Sequence, residues 1–245
     1  MNRPNQRGVT LMELLIAVTL LSLVVSGVLM SMRVGLNAMQ RSNHRFIANR
    51  RVLGTQKLLE QQVAGLLPVP ATCIGAGGET PRETIPFFQG EPQTMRFVSS
   101  YSLGDGSRGM PRILEFQVIP GEEGRGVRLV VNEHLYTGAL GAGRFCLGMV
   151  PDPLAGIALP RFVPVAIGAG SFVIADRLSE CRFLYRESLQ DPPFERWGPR
   201  WMRSADWPSA IRVEMLPLEP DMSMITPVSL TVPVRVKKAP GVYID

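Results

Sequence analysis

The chain has 245 residues, 45% of them apolar, which is enough for one substantial domain or two small ones. Its 24 glycines and 21 prolines, with 7% aromatics, favour a loop-rich β architecture over a helical bundle. A formal charge of +5, from 26 basic and 21 acidic residues spread along the chain, excludes a strongly basic nucleic-acid binder.

Residues 1–8 are short, polar and basic, with Arg3 and Arg7 ahead of Gly8. From Leu14 to Met32 no residue is charged, a run close to the roughly twenty residues that cross a bilayer as a helix. The run is too long for the apolar core of a secretory signal peptide, and no small-x-small site closes it. One carboxylate, Glu13, stands just inside its start. A charge there costs on the order of 2.5–3.5 kcal/mol on insertion scales, so it calls for a partner. A snorkelling glutamate of a plain signal anchor is the simpler alternative.

The stretch Gly8-Val9-Thr10-Leu11-Met12-Glu13-Leu14-Leu15-Ile16-Ala17-Val18 resembles the processing site of type IV prepilins and type II secretion pseudopilins. The resemblance implies cleavage after Gly8 by a membrane prepilin peptidase and methylation of the new amine on Val9. It places Glu13 at the fifth mature position, where the family carries its glutamate, with Thr10 and Leu11 in the same assembly segment. Val9 replaces the usual Phe. Cleavage creates an amine four residues from Glu13, and in a filament the carboxylate of one subunit can neutralise the buried amine of the next. The positive-inside rule alone gives no support to this orientation, because Arg33, Arg41, Arg45, Arg50 and Arg51 crowd the far flank. The processing motif requires a cytoplasmic N-terminus and a periplasmic C-terminal domain at the bacterial inner membrane.

Beyond Met32, Val34, Met39, Phe46, Val52, Leu53, Leu59, Val63 and Leu66 recur mostly at helical intervals. No proline occurs between Arg7 and Pro68, so one helix of about fifty-five to sixty residues is expected, ended by Pro68-Val69-Pro70. A basic amphipathic helix lying on lipid is the alternative for its second half. Residues 70–93 read as an extended loop. The period then changes to two, with strands over Met95–Ser100, Arg112–Ile119 and Val127–Asn132 separated by Gly-rich turns. Shorter strands follow at Phe145–Val150, Phe162–Ile167 and Ser171–Ala175, and then alternation over Leu178–Arg186, Ile211–Met215 and Val228–Val236. Pro233 puts the last of these at a sheet edge.

The fold class expected is α+β: a long N-terminal helix packed on an antiparallel β-sheet domain. Its parts are a leader at 1–8, a membrane half of the helix at 9–32, an amphipathic half at 33–67 and a β-rich domain at 68–245. Met95-Arg96-Phe97-Val98-Ser99-Ser100, the strand pair ending near Glu133-His134-Leu135, Phe183-Leu184-Tyr185 and the Trp-bearing loop before Pro208–Glu214 are similar to J-type minor pseudopilins. That likeness implies a structural, non-enzymatic subunit at the tip of a type II secretion pseudopilus. Its partners would be the I- and K-type minor pseudopilins, the major pseudopilin, the prepilin peptidase, inner-membrane lipid and exported proteins. A minor pilin of a type IV pilus and a membrane-anchored periplasmic binding domain are the rival readings.

Three cysteines without CxxC spacing, and only two histidines, give no zinc pattern. Cys181 lies in an alternating strand and reads as a small buried apolar residue, which leaves Cys73 and Cys146 as the disulfide to test. Gly104-Asp105-Gly106-Ser107-Arg108-Gly109 spells G-x-G-x-x-G but precedes a strand, so it reads as a hairpin loop and not a dinucleotide site. Glu122-Glu123 reads as a solvated turn. Trp197, Trp201 and Trp207 lie in a Pro- and Arg-rich loop, either as a partner surface or as packing beneath the loop. No catalytic constellation, metal site or cofactor site is expected.

Overall fold

The computed structural model describes residues 10–73, 83–152, 156–219 and 228–234, and for 41–52 the backbone only. The chain forms two compact units, Met1–Arg50 and Arg51–Asp245. Helix α1 runs over Leu11–Ala64, a length of 54 residues. A helix is the structure expected of an apolar run without proline, because it satisfies its backbone polar groups internally. Within the first unit the side chains from Leu11 to Gln40 are uncovered, and this segment is long and apolar enough to cross a membrane.

In the second unit Leu59 and Val63 of α1 are buried, as is Leu66 just beyond it. Val34, Met39 and Leu53 of the same apolar series are exposed, and the side chains of Phe46 and Val52 lie outside the described residues. The helix stops at Ala64, before the prolines expected to end it. The turn is made at Gly65, where a Cβ would meet a Tyr101 ring carbon at 2.5 Å. Gly65 thus lets the chain leave α1 in close contact with the Tyr101 and Ser99 side chains, three residues before Pro68.

Besides 3-10 turns at Glu122–Gly124 and Gly143–Phe145, the remaining elements among the described residues are strands and one short α-helix. They are β1 (Leu66–Leu67), β2 (Pro70–Cys73), β3 (Glu83–Pro86), β4 (Gln89–Gly90), β5 (Thr94–Tyr101), β6 (Arg108–Pro120), β7 (Val127–Leu135), α2 (Ala139–Ala142), β8 (Cys146–Pro151), β9 (Ala158–Phe162), β10 (Phe172–Ser188), β11 (Glu195–Gly198), β12 (Ala210–Pro217) and β13 (Val228–Pro233). A nine-stranded sheet is ordered β1-β5-β6-β7-β10-β12-β13, with β4 on β5 and β11 on β10. Every pairing in it is antiparallel. β13 ends that order, at the edge.

Three expectations are corrected here. The strand expected over Phe162–Ile167 lies instead at Ala158–Phe162, with residues 163–167 outside any strand. Residues 70–93 are not one extended loop: β2 pairs with β3, and β4 joins the main sheet. Ser171–Ala175 and Leu178–Arg186 are not separate strands but parts of the 17-residue β10. Its first part pairs with β7 and its second with β12, and the two ladders overlap at Leu178. Register shifts between Val173 and Glu180 mark the crossing, as does Arg177 with φ 56°.

The sheet is covered on both faces. One face presents Phe97, Leu114, Phe116, Val131, Phe183, Ile211 and Val213 to Leu59 and Val63. Two side-chain bonds tie this end of α1 to strands: Ser99 Oγ donates to the Gln62 carbonyl at 3.1 Å, and Thr55 Oγ1 to that of Ile174 at 2.8 Å. On the other face Val98 and Ile113 meet Ala71, Ile85, Phe87, Ala142, Met149 and Phe162, contributed by β2, β3, α2, β8 and β9 with their connections. The Cys73–Cys146 disulfide lies in this second core and joins β2 to β8.

Cys181 is a free thiol in the first core, and burial pushes it up to about 12. Between its ordinary value near 9.0 and about 12, the unfolded chain releases a proton that the folded chain keeps, so stability falls as pH rises through that window. We expect a thiol reagent to find no reactive group in the folded chain at pH ~8. One thiol should react after unfolding, and all three cysteines after reduction. Part of the stability loss above pH ~9 should vanish in Cys181→Ala. Reducing the disulfide, which closes a loop with a sequence separation of 73, should lower unfolding free energy by roughly 4 kcal/mol in denaturant titration.

Candidate functional site

The N-terminal turn of α1 is built by Thr10. Its carbonyl accepts from the backbone N–H of Glu13 at 3.1 Å and of Leu14 at 3.2 Å, and its Oγ1 lies 3.3 Å from the same Glu13 nitrogen. Thr10-Leu11-Met12-Glu13 has the order of a capping box, threonine at the cap and glutamate at the third helical position. Glu13 also sits in the first turn, where a negative charge is favoured by the helix dipole. Helix initiation and carboxylate placement thus come from the same four residues. Gly8 and Val9, the residues on either side of the expected cleavage, lie outside the described residues.

Past Glu13 the surface is hydrocarbon. Leu11 is 84% exposed, and Leu14, Leu15, Leu20, Leu21, Leu23, Val24, Val28 and Met32 are all exposed. The hydroxyls in this run are satisfied within the helix, Thr19 Oγ1 by the Ile16 carbonyl at 2.9 Å and Ser22 Oγ by that of Thr19 at 2.8 Å. A surface of this kind is costly in water at about 25 cal/mol per Å² and finds its place in lipid or against other apolar helices. Chemically the segment can insert and associate; Glu13 is the one charged group on it before Arg33.

The charge is not spread along the chain as its composition suggests. Met1–Arg50 holds six of the 26 basic and one of the 21 acidic residues, a net +5; Arg51–Asp245 holds twenty of each and is neutral. Many of the described arginines of the sheet domain are in ion pairs, among them Arg182 with Glu214, Arg196 with Glu187 and Arg203 with Asp206.

The three tryptophans have different surroundings. Trp201 packs on the first core, edge-on to Phe88, and its Nε1 donates to the Asp206 carbonyl at 3.1 Å. Trp207 also packs on that core. Trp197 is in β11, with the Arg212 guanidinium 4.1 Å from its ring centroid and that of Arg186 at 6.0 Å. Trp201 and Trp207 therefore pack beneath the loop, and Trp197 is the one stacked against strand arginines.

The Gly104–Gly109 run lies in the β5–β6 hairpin, where the N–H groups of Gly104 and Asp105 already donate to Glu133 and to Ser102 Oγ. Glu133 on β7 accepts from Ser102 Oγ at 2.8 Å and from the N–H groups of Leu103 and Gly104 at 2.5 and 3.3 Å. Among the described residues no group of three His, Cys, Asp or Glu could hold a metal.

One polar cluster has no counterpart among the expected sites. Arg96 on β5 is fully buried on the second face of the sheet, with its guanidinium 5.4 Å from the Phe145 ring centroid and 5.3 Å from that of Phe162. It donates to Glu115 on β6 at 2.8 Å, to Gln89 at 2.7 Å and to the Val163 carbonyl at 2.9 Å. Burial pushes the Arg96 guanidinium down from its ordinary range, and Glu115 pulls it back up. The other Glu115 oxygen meets His134 at 2.9 Å and Asn132 at 3.4 Å. Asn132 donates in turn to the Ala166 carbonyl at 2.8 Å and accepts from Ser171 Oγ at 2.6 Å. Arg96, Glu115 and Asn132 face one another across adjacent strands, so the cluster is a cross-strand ladder that ties the connection from β9 to β10 down onto the sheet.

The model of the prokaryotic N-terminal methylation motif matches residues 3–29. No curated protein gives a significant match. Among solved structures, a chain of the GspK-GspI-GspJ complex from the type 2 secretion system of enterotoxigenic Escherichia coli is similar at 14% identity, with a TM-score of 0.43. The match covers 76% of this chain and 97% of that one. A likeness at that level carries no further argument.

The buried ladder yields a stability test. Glu115→Ala leaves the Arg96 guanidinium without its counter-charge, and we expect a loss of about 3–5 kcal/mol in denaturant unfolding of the full chain in detergent. Protease nicking between residues 163 and 171 should rise in parallel. His134→Gln keeps the buried pair and should cost no more than about 1 kcal/mol; equal losses for the two variants would refute the role given to Arg96.

Proposed function

We propose that this chain is a minor pseudopilin, a structural and non-enzymatic subunit of J-type character at the tip of a type II secretion pseudopilus. The observation that carries the reading is the match of the methylation motif to residues 3–29, on a helix whose one early charge is Glu13. In this reading residues 1–8 are a leader, removed after Gly8 by prepilin peptidase, and Val9 carries the methylated amine. Residues 9–32 form the membrane and assembly half of the helix and 33–67 its outer half. Residues 68–245 are the periplasmic domain that meets partner subunits, the I- and K-type minor pseudopilins among them.

The mechanism is association. In the membrane the apolar surface of α1 is solvated by lipid chains; in the filament, helices of neighbouring subunits replace them. Glu13 is expensive in either place unless paired, and a neighbour's terminal amine is the partner of opposite sign that processing creates. Because the pair forms at one axial offset only, it sets register as well as neutralising charge. Thr10 caps the first turn of α1, so the carboxylate is presented from a fixed position.

Intact mass after co-expression with a prepilin peptidase should show loss of residues 1–8 and gain of one methyl group, and Gly8→Lys should abolish both. An uncut wild-type chain, or a Gly8→Lys chain that is still cut, removes the reading. Glu13→Ala should still enter the membrane, by carbonate extraction, but no longer assemble with minor subunits. Assembly of that variant at wild-type level removes the register role of Glu13. The subunits recovered with the wild-type chain separate a type II secretion assembly from a type IV pilus.

A further inference from the structure

One buried polar side chain of the second unit lacks a partner, and it lines a cavity. Gln62, in the last turns of α1, is 3% exposed, and its Oε1 makes no hydrogen bond among the described residues. The cavity, about 140 Å³ in volume, lies between these turns and the β5–β6 hairpin. Leu58, one turn before Gln62, and Leu103 give it hydrocarbon walls. Tyr101 adds a ring, with the Arg108 guanidinium 4.9 Å from its centroid. We propose that this cavity receives the side chain of a tyrosine of another protein chain, its hydroxyl donating to Gln62 Oε1. The inference stands apart from the pseudopilin reading and needs no processing at Gly8.

Size, polarity and charge each narrow the occupant. A cavity of about 150 Å³ holds one benzene-sized ring, whereas sites for drug-sized ligands run from about 300 to 1,000 Å³. The space suits one anchoring side chain, and tyrosine is among the residues that most often anchor an interface in this way. A buried acceptor left unpaired is costly, so the occupant has to bring a donor into an apolar pocket, which leucine and phenylalanine do not. An ionised carboxylate has no proton to give. Lys57 on the rim and Arg108 over Tyr101 disfavour an ammonium or a guanidinium in the same place.

The entrance is bordered by glycine on both sides. Gly54 of α1 and Gly106 of the hairpin line the cavity, and a Cβ at either meets nothing within 4 Å. Glycine weakens a helix interior, and the packing at Gly54 does not call for one. An open entrance does.

The test uses the full chain in non-ionic detergent with 3-fluorotyrosine at its four tyrosines, the Tyr101 fluorine signal being assigned by its loss in Tyr101→Phe. Free probe is measured separately to correct for uptake by micelles. N-acetyltyrosinamide should shift that signal saturably, with a dissociation constant on the order of 1 mM, and N-acetylphenylalaninamide should bind about tenfold more weakly. Gln62→Leu removes an unpaired polar group, so it should raise the unfolding midpoint while erasing the preference for tyrosine. Gly54→Leu improves the helix and closes the entrance, so both probes should weaken by about tenfold or more with no loss of stability. No saturable shift, equal affinity for the two probes, or a Gln62→Leu chain that keeps the preference overturns the proposal. Tighter binding of the α-amide of N-acetylglutamate assigns the site to a carboxylate and overturns it as well. Tighter binding of p-cresol than of N-acetyltyrosinamide does the same, because it marks a pocket that closes over a free molecule. Binding that appears only in Tyr243→Ala gives the place to this chain's own tyrosine, against the assignment to a partner.

Discussion

A guanidinium with no access to water sits between two phenyl rings on one face of the central sheet, and the elements of that face are arranged around satisfying it. Glu115 lies opposite Arg96 on the next strand, Gln89 reaches in from β4, and the Val163 carbonyl closes the shell from the end of β9. Removing water from a charge is costly, and only complete pairing offsets it. A pleated sheet alone would expose this face. Here the face is closed by short strands that could not bury a core by themselves, fixed by one ion pair and one disulfide. The opposite face is closed by ordinary means, with Leu59 and Val63 of α1 laid on Phe97, Leu114 and Phe116.

The helix is under the opposite constraint. Where Arg96 is a charge that must be enclosed, the charge-free, mostly apolar run from Leu14 to Met32 is exposed along its length. The apolar part and the charged part of the first unit follow one another in sequence, Leu14 to Met32 and then Arg33 to Arg50. The sheet domain, neutral and laced with internal ion pairs, adds little long-range field of its own.

Much of this was legible before any coordinates. The charge-free run and Glu13 read directly, as did the strands β5, β6, β7 and β12, whose alternation is regular, and the edge position of β13, which Pro233 announces. What was not legible failed for identifiable reasons. β2, β3 and β4 are two to four residues long and contain Pro and Gly, too short for a period to show. β10 shifts register between Val173 and Glu180, so its alternation breaks in the middle and looks like two strands. α1 ends where the Tyr101 and Ser99 side chains pack too closely on Gly65 for it to carry a Cβ, a property of the packing and not of the local sequence. Arg96 and Glu115 occupy the polar positions of alternating strands, and nothing local distinguishes a polar residue facing water from one facing a second core. Opposite charges placed directly across from each other on adjacent strands were the available signal, but reading it requires the register first. The charge asymmetry lay open in the sequence; a whole-chain sum conceals it.

The double allegiance of β10 matters in mechanical terms. One half of the large sheet is laddered to its first part and the other half to its second, and Leu178 is where the two ladders meet. Between most neighbouring strands a sheet is held by rows of hydrogen bonds that can unzip one after another. Here the two halves share one strand along successive stretches, so each half is held by its own ladder and a load on one ladder passes to the other through the backbone of β10 near Leu178.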